Sequence, residues 1–279
     1  MPRRSPPLAH PLERRGALAL LTCACACAGL LACDAPEACE APARPLVFAY
    51  RGGGAAAPEN TVAAARQAVA DGSDGVEIDI RRTADGVLIA FHDSTTGRTS
   101  DDLENRAIAS LTYAEIQELD VGAWFGPEFA GTRVPRLEEV VAVIPEDRGI
   151  VFDLKVDEVV APVAEFIRDR GLEHRALASS FEIERLAAFH ELAPEVRLGF
   201  CLWAIQDIRR AGETDVEFVR LPDHLERDPQ WQQAVLDAGY SLVVTDRATT
   251  PAAGMIVASD VATTRAVFAD EPATTTCAP

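Results

Sequence analysis

The chain has 279 residues, room for one large domain or two small ones. Its 48% hydrophobic and 25% charged residues exclude a disordered or collagen-like polymer. A net charge of −18 argues against nucleic acid as a partner. An anionic small molecule can bind only where a cation or a few basic groups reverse the potential locally.

The amino terminus comes first. Arg3, Arg4, Arg14 and Arg15 precede an uncharged run from Gly16 to Ala32, the order of a secretory leader. The run closes on Leu30-Leu31-Ala32-Cys33, which resembles a bacterial lipobox. It predicts a leader over 1–32, Cys33 as the first mature residue and lipidation site, and an extracytoplasmic protein anchored to a bacterial cell membrane. Stable anchoring needs more than one acyl chain. Loss of 1–32 would leave 22 basic and 43 acidic residues, a net charge of −21. Residues 33–45 read as a proline-rich tether. Cys39 and Cys277 lie in the two tails, where a disulfide is permitted but not required.

From Leu46 short apolar runs alternate with helical patterns. Strands are expected at 46–50, 75–80, 87–92, 149–156, 175–181, 196–203, 216–221 and 240–246. Helices are expected at 59–71, 113–119, 137–144, 158–170, 183–192 and 230–237. Thr112 and Glu115 form a capping-box pair. This alternation predicts an α/β fold, a (β/α)8 TIM-type barrel over 46–250. Six residues between Ile80 and Val87 are too few for a crossover helix. A hairpin centred on Asp85-Gly86 is expected instead, setting Asp79 opposite His92. Residues 93–136 read as an excursion inserted after the third strand, over the barrel mouth. The carboxy-terminal end stays open. Either 240–246 is the last strand, or it is the seventh and Met255–Asp260, within the segment 251–279, is a short eighth.

Glu77 and Asp79 lie two apart on one predicted strand, so both side chains point the same way. Asp153 and Lys155 repeat this spacing on another. Carboxylates facing a barrel interior are costly unless paired or bound to a cation, and an all-oxygen set favours Ca²⁺ or Mg²⁺. Lys155 is the only lysine among 26 basic residues, suggesting a place where a compact point charge fits and a guanidinium fork does not. His92 ends a strand and titrates near working pH, which suits a proton donor. Arg51 follows the first strand and suits bidentate phosphate binding. Pro58 suits a helix beginning near Glu59, whose free N–H groups face an anion.

Arg51-Gly52, Pro58-Glu59-Asn60-Thr61, Gly75-Val76-Glu77-Ile78-Asp79, Asp85-Gly86, Phe91-His92-Asp93, Arg98-Thr99 and Asp153-Leu154-Lys155 occur at fixed distances. So do Leu119–Phe125 and Val134–Glu139. In order and spacing these motifs resemble the glycerophosphodiester phosphodiesterase family, closely over 46–156 and more loosely to about 182. The resemblance implies a barrel enzyme that hydrolyses glycerophosphodiesters, a small-molecule substrate class, to glycerol 3-phosphate and an alcohol. It implies metal binding by Glu77, Asp79 and Asp153, phosphate binding by Arg51 and Lys155, and His92 as one of two acid–base histidines. No protein partner is evident. At the other histidine's position stands Tyr50, whose phenol ionises near ~10 in water. A metal and Arg51 would lower that value. Two alternatives stay open: a non-catalytic lipoprotein that binds metal and phosphodiester, and a related barrel phosphodiesterase acting on intact phospholipid or sphingolipid.

Overall fold

The computed structural model describes residues 44–246 and 253–268. The expected leader, Cys33, Cys39 and Cys277 lie outside the described residues.

Eight parallel strands close a barrel. In chain order β1 (Leu46–Ala49), β2 (Gly75–Arg82), β4 (Gly149–Leu154), β5 (Ala176–Ser180), β6 (Arg197–Cys201), β7 (Val216–Arg220), β8 (Ser241–Thr245) and β9 (Met255–Ala258) pair neighbour to neighbour, and β9 and β2 both pair β1. The short strand β3 (Leu88–Ala90) lies outside the wall, antiparallel to β2. Thus 87–92 is not a barrel strand. The open carboxy-terminal assignment resolves with 241–245 as the seventh barrel strand and 255–258 as the eighth.

Alternation along the strands sorts side chains into two layers. Val47, Ile78, Ile80, Ile150, Phe152 and Leu154 join the core packed with the outer helices. Phe48, Val151, Leu177, Phe218, Val243, Met255 and Val257 form a second, interior cluster. The floor of the barrel needs two glycines, because a Cβ at Gly75 or Gly149 would collide with the Phe48 ring. Above this apolar floor, toward the carboxyl ends of the strands, the inward positions become polar.

The helices α1 (Val62–Ala70), α3 (Leu137–Val141), α4 (Val160–Asp169), α5 (Ile183–Leu192) and α6 (Pro229–Asp237) follow the expected pattern, as does the short α2 (Tyr113–Ile116) with its Thr112–Glu115 capping box. Among the helical stretches not anticipated are a 3₁₀ run at Ile205–Glu213 and α7 (Val261–Val267), capped by Asp260. Asp74, just before β2, ties both ends of the barrel together. It accepts hydrogen bonds from Arg44, the Val47 amide and Arg265 of α7.

The β2–β3 register differs from the expected one. Ile80 pairs Ala90, and the Phe91 amide donates to Asp79 O, so Phe91 rather than His92 stands opposite Asp79. The cause is the turn. Thr83 N donates to Val87 O and encloses three residues, Ala84-Asp85-Gly86, with Gly86 left-handed at φ 90°. A three-residue loop of this kind shifts the register by one from a two-residue turn. The excursion packs Ile108, Leu111, Ile116, Val121 and Val134 on Ile89 and Phe91 of this hairpin.

Candidate active site

Glu77 and Asp79 project inward from β2 and Asp153 from the adjacent β4, where Asp79 and Asp153 are register partners. All three are buried, and one oxygen of each lies within 4.8 Å of the others. Lys155 Nζ sits between two of them, 2.7 Å from Asp79 and 2.6 Å from Asp153. A point charge fills this gap, as its being the only lysine suggested.

Such crowding splits the protonation states. Burial, then Asp79 and Asp153, raise Glu77 well above the ordinary carboxylate range. Burial also pushes Asp79 up, but Lys155, His92 and Arg51 outweigh it and hold it low. Burial works against the charge on Lys155, yet Asp79, Asp153 and Glu77 keep it protonated. The buried Asp153 Oδ1 has no hydrogen-bond partner. An orphaned carboxylate oxygen beside two further carboxylates is what a hard divalent cation satisfies, so these residues fit one.

The chain leaves β1 through a tight 3₁₀ turn, Tyr50–Gly52, in which Arg51 has φ 53°. A left-handed non-glycine residue is strained. Here the strain aims the Arg51 amide at Glu77 Oε2, 2.7 Å away. Within the site the Arg51 guanidinium donates through Nη1 to Glu59 and through Nη2 to the Tyr50 hydroxyl, each at 3.0 Å, and its Nε lies 3.6 Å from Asp79. Glu59 also receives Arg98, so the excursion is tied to the site. α1 begins at Val62, not near Glu59, with Thr61 as its N-cap accepting from the Ala64 amide. Glu59 and Asn60 therefore lie in the preceding turn. Asn60, at φ 55°, donates to Asp79 Oδ2 at 2.6 Å and accepts from the Asp79 amide. Sequence reasoning gave Asn60 no such task, although an asparagine's tolerance of this backbone region was a signal.

His92 is half-buried, with Nδ1 2.6 Å from Asp93 Oδ1. The carboxylate accepts, so Nδ1 carries the proton and Nε2 is left for a ligand. Burial, followed by opposing effects of Asp79 and Lys155, lowers its pKa below the ordinary histidine value. Burial raises the Tyr50 phenol above its ordinary value; the charges of Arg220 and Arg51 oppose this and that of Glu77 adds to it. Tyr50, Glu77, Asp153, Ser179, Cys201 and Arg220 line a cavity inside the barrel. Burial pushes the Cys201 thiol up to about 12, so it stays neutral. Arg220 was missed, since a strand-final arginine in Val216–Arg220 carries no motif.

These features define a (β/α)8 barrel with a carboxylate cluster fit for a divalent cation and basic groups beside it, at the strand ends where barrel active sites are built. A model of the glycerophosphoryl diester phosphodiesterase family matches residues 51–257, and the chain belongs to that family. A glycerophosphodiester phosphodiesterase of Caldanaerobacter subterraneus subsp. tengcongensis is 36% identical over 160 residues, 55% of this chain and 65% of that protein. The human glycerophosphodiester phosphodiesterase 1 is 37% identical over 126 residues, 44% of this chain and 38% of that one. The chain thus aligns with less than two thirds of these curated relatives' lengths. The crystal structure of a glycerophosphodiester phosphodiesterase from Agrobacterium tumefaciens str. C58 has 28% identity and a TM-score of 0.68, covering 80% of this chain and 99% of that one. A phosphodiesterase of Oleispira antarctica, solved in complex with the product sn-glycerol-3-phosphate, has 26% identity and a TM-score of 0.72, covering 81% and 98%.

Proposed function

We propose that this chain hydrolyses glycerophosphodiesters to glycerol 3-phosphate and an alcohol, using a divalent ion held by Glu77, Asp79 and Asp153. The observation that carries the reading is the three-carboxylate cluster, with its orphaned Asp153 oxygen, beside Lys155, Arg51 and His92 at one barrel mouth. Ca²⁺ and Mg²⁺ both suit the donor set. When bound, the ion supplies positive charge to the phosphoryl oxygens and acidifies water. Lys155 and Arg51 orient the phosphate. His92, its tautomer set by Asp93, exchanges a proton with the ester oxygen through Nε2. The protonated Tyr50 acts as a hydrogen-bond donor, not as a base. Lipid attachment at Cys33 and an extracytoplasmic location belong to the same proposal, supported by the basic, apolar and cysteine segments in that order.

A glycerol 3-phosphate release assay with several glycerophosphodiesters, with and without Ca²⁺ or Mg²⁺, tests the reading. Metal-dependent release is expected. Metal and product binding without turnover would instead establish the non-catalytic reading, which a tyrosine kept neutral at position 50 favours. Metal binding has its own check: Ca²⁺ or Mg²⁺ should raise the melting temperature of the wild-type chain by mass action, and Asp79→Asn should abolish the increment. Equal melting temperatures at all metal concentrations would count against the site.

A further inference from the structure

Arg220 ends β7, which stands diametrically across the barrel from β2 in the closed strand order. Inward Phe218 lies two residues before it, so alternation carries the Arg220 side chain into the same interior, above the apolar floor. There it lines the cavity shared with Glu77, Asp153 and Tyr50, and its guanidinium lies 5.3 Å from the centre of the Tyr50 ring. Among the described residues its guanidinium pairs with the exposed Asp223, at 3.1 Å through Nη2. Nε is buried and has no hydrogen-bond partner.

A structural account would make Arg220 the counterion of the carboxylate cluster. The distances do not support it: among the described residues the cluster's ion pairs are with Lys155 and Arg51. A buried guanidinium N–H left unpaired is costly, and such a group calls for a missing partner. Charge indicates which one. A divalent ion together with Lys155 would offset Glu77, Asp79 and Asp153, so the unpaired Nε–H of Arg220 is left to attract an anion entering the cavity. A guanidinium also presents the planar fork that suits phosphate oxygens.

We propose that Arg220 is a third phosphate-binding residue, which donates to the phosphoryl oxygens of the substrate from the barrel wall opposite β2. This rests on the phosphodiesterase reading above. The neutral Tyr50 phenol beside it offers a second donor, and the phosphate is gripped from both sides of the barrel.

Calorimetric titration of the full chain with inorganic phosphate and with glycerol 3-phosphate, each with and without Mg²⁺, tests the assignment. Arg220→Gln should weaken binding of both anions by about ten- to a hundredfold, the loss expected for a charged hydrogen bond. Arg220→Lys should fall between, because a point charge replaces the fork. KM for the diester should rise more than kcat falls. Equal affinities in wild type and Arg220→Gln would overturn the assignment and leave the hydrolase reading standing. A wild type that binds neither anion would sink both. Should Arg220→Gln fail to fold, a crystal structure of the wild-type chain with glycerol 3-phosphate decides. A phosphate oxygen within hydrogen-bond distance of the guanidinium supports the role, and an Arg220 without that contact overturns it.

Discussion

Burial and Glu77 hold the Tyr50 phenol above its ordinary pKa, a shift that should outweigh the opposite pull of a bound metal ion. No alkaline rise in rate should then originate from Tyr50 between pH 6 and 9. Tyr50→Phe removes the hydroxyl that accepts from Arg51. It should lower kcat/KM about tenfold, the cost of one charged hydrogen bond, without changing the shape of the pH profile. Tyr50→His supplies a group that titrates near ~6.5 and should raise the rate at pH 7 by about 10²-fold, the lower end of general acid–base effects. A wild-type alkaline limb that disappears in Tyr50→Phe would show instead that the phenolate is the working form. Glu77 is shifted in the same direction. With its pKa raised well above the ordinary range, it binds a proton that a metal must displace. Divalent-ion binding should therefore release protons and weaken as pH falls, measurable by calorimetry in buffers of different ionisation enthalpy. Proton release unchanged in Glu77→Gln would remove Glu77 as the source. The acidic half of this site was legible in the chain because Glu77 and Asp79 share strand parity and Asp153 repeats it. Arg220 and Asn60 were not, since Arg220 reaches the cavity only when the opposite strand closes the barrel and Asn60 meets Asp79 only through a left-handed turn.

At the level of elements, strand parity located the polar layer, whereas turn geometry and strand count were less legible. The Asp85-Gly86 pair marked a hairpin, but only the Thr83–Val87 hydrogen bond reveals the three-residue loop that places Phe91 opposite Asp79. Likewise 87–92 had the composition of a barrel strand, and the four-residue β9 was too short to stand out from 251–279. What places β9 is its pairing with both β1 and β8, and Asp74 reinforces that closure. Burial pushes Asp74 up, but hydrogen bonds from Arg44 and Val47, with the charges of Arg44 and Arg265, hold it below its ordinary value. A depressed carboxylate stabilises the fold above the unfolded-state pKa of ~3.9, and that contribution is lost as pH falls through the lower folded value. Asp74→Asn should therefore cost about 1–3 kcal/mol at neutral pH. At ~2–4 °C per kcal/mol for a domain of this size, the melting temperature drops by several degrees. The gap to wild type should narrow below pH 4, and a gap independent of pH would mean that packing, not charge, holds the clasp.

For the molecule as a whole, the proposed lipid anchor would have to hold a strongly acidic body at a membrane. Among the described residues no helix is long and apolar enough to cross one. The net charge of −18 for the full chain is repelled by anionic lipid, a force that salt weakens but does not reverse. In the anchored protein proposed above, attachment would come from acyl chains at Cys33, each buried CH₂ contributing ~0.8 kcal/mol of apolar transfer energy against that repulsion. Wild-type protein should accordingly fractionate with membranes, resist extraction by high salt and be released by detergent. High salt separates the two modes of attachment, because it would strip a protein held by charge and would not strip one held by lipid. Cys33→Ser should leave the protein unprocessed or soluble while the isolated barrel retains its metal-dependent rise in melting temperature. Mass spectrometry of the wild-type amino terminus decides the point: an unmodified Cys33 on mature protein found free in solution would refute lipid anchoring without touching the proposed chemistry of the barrel.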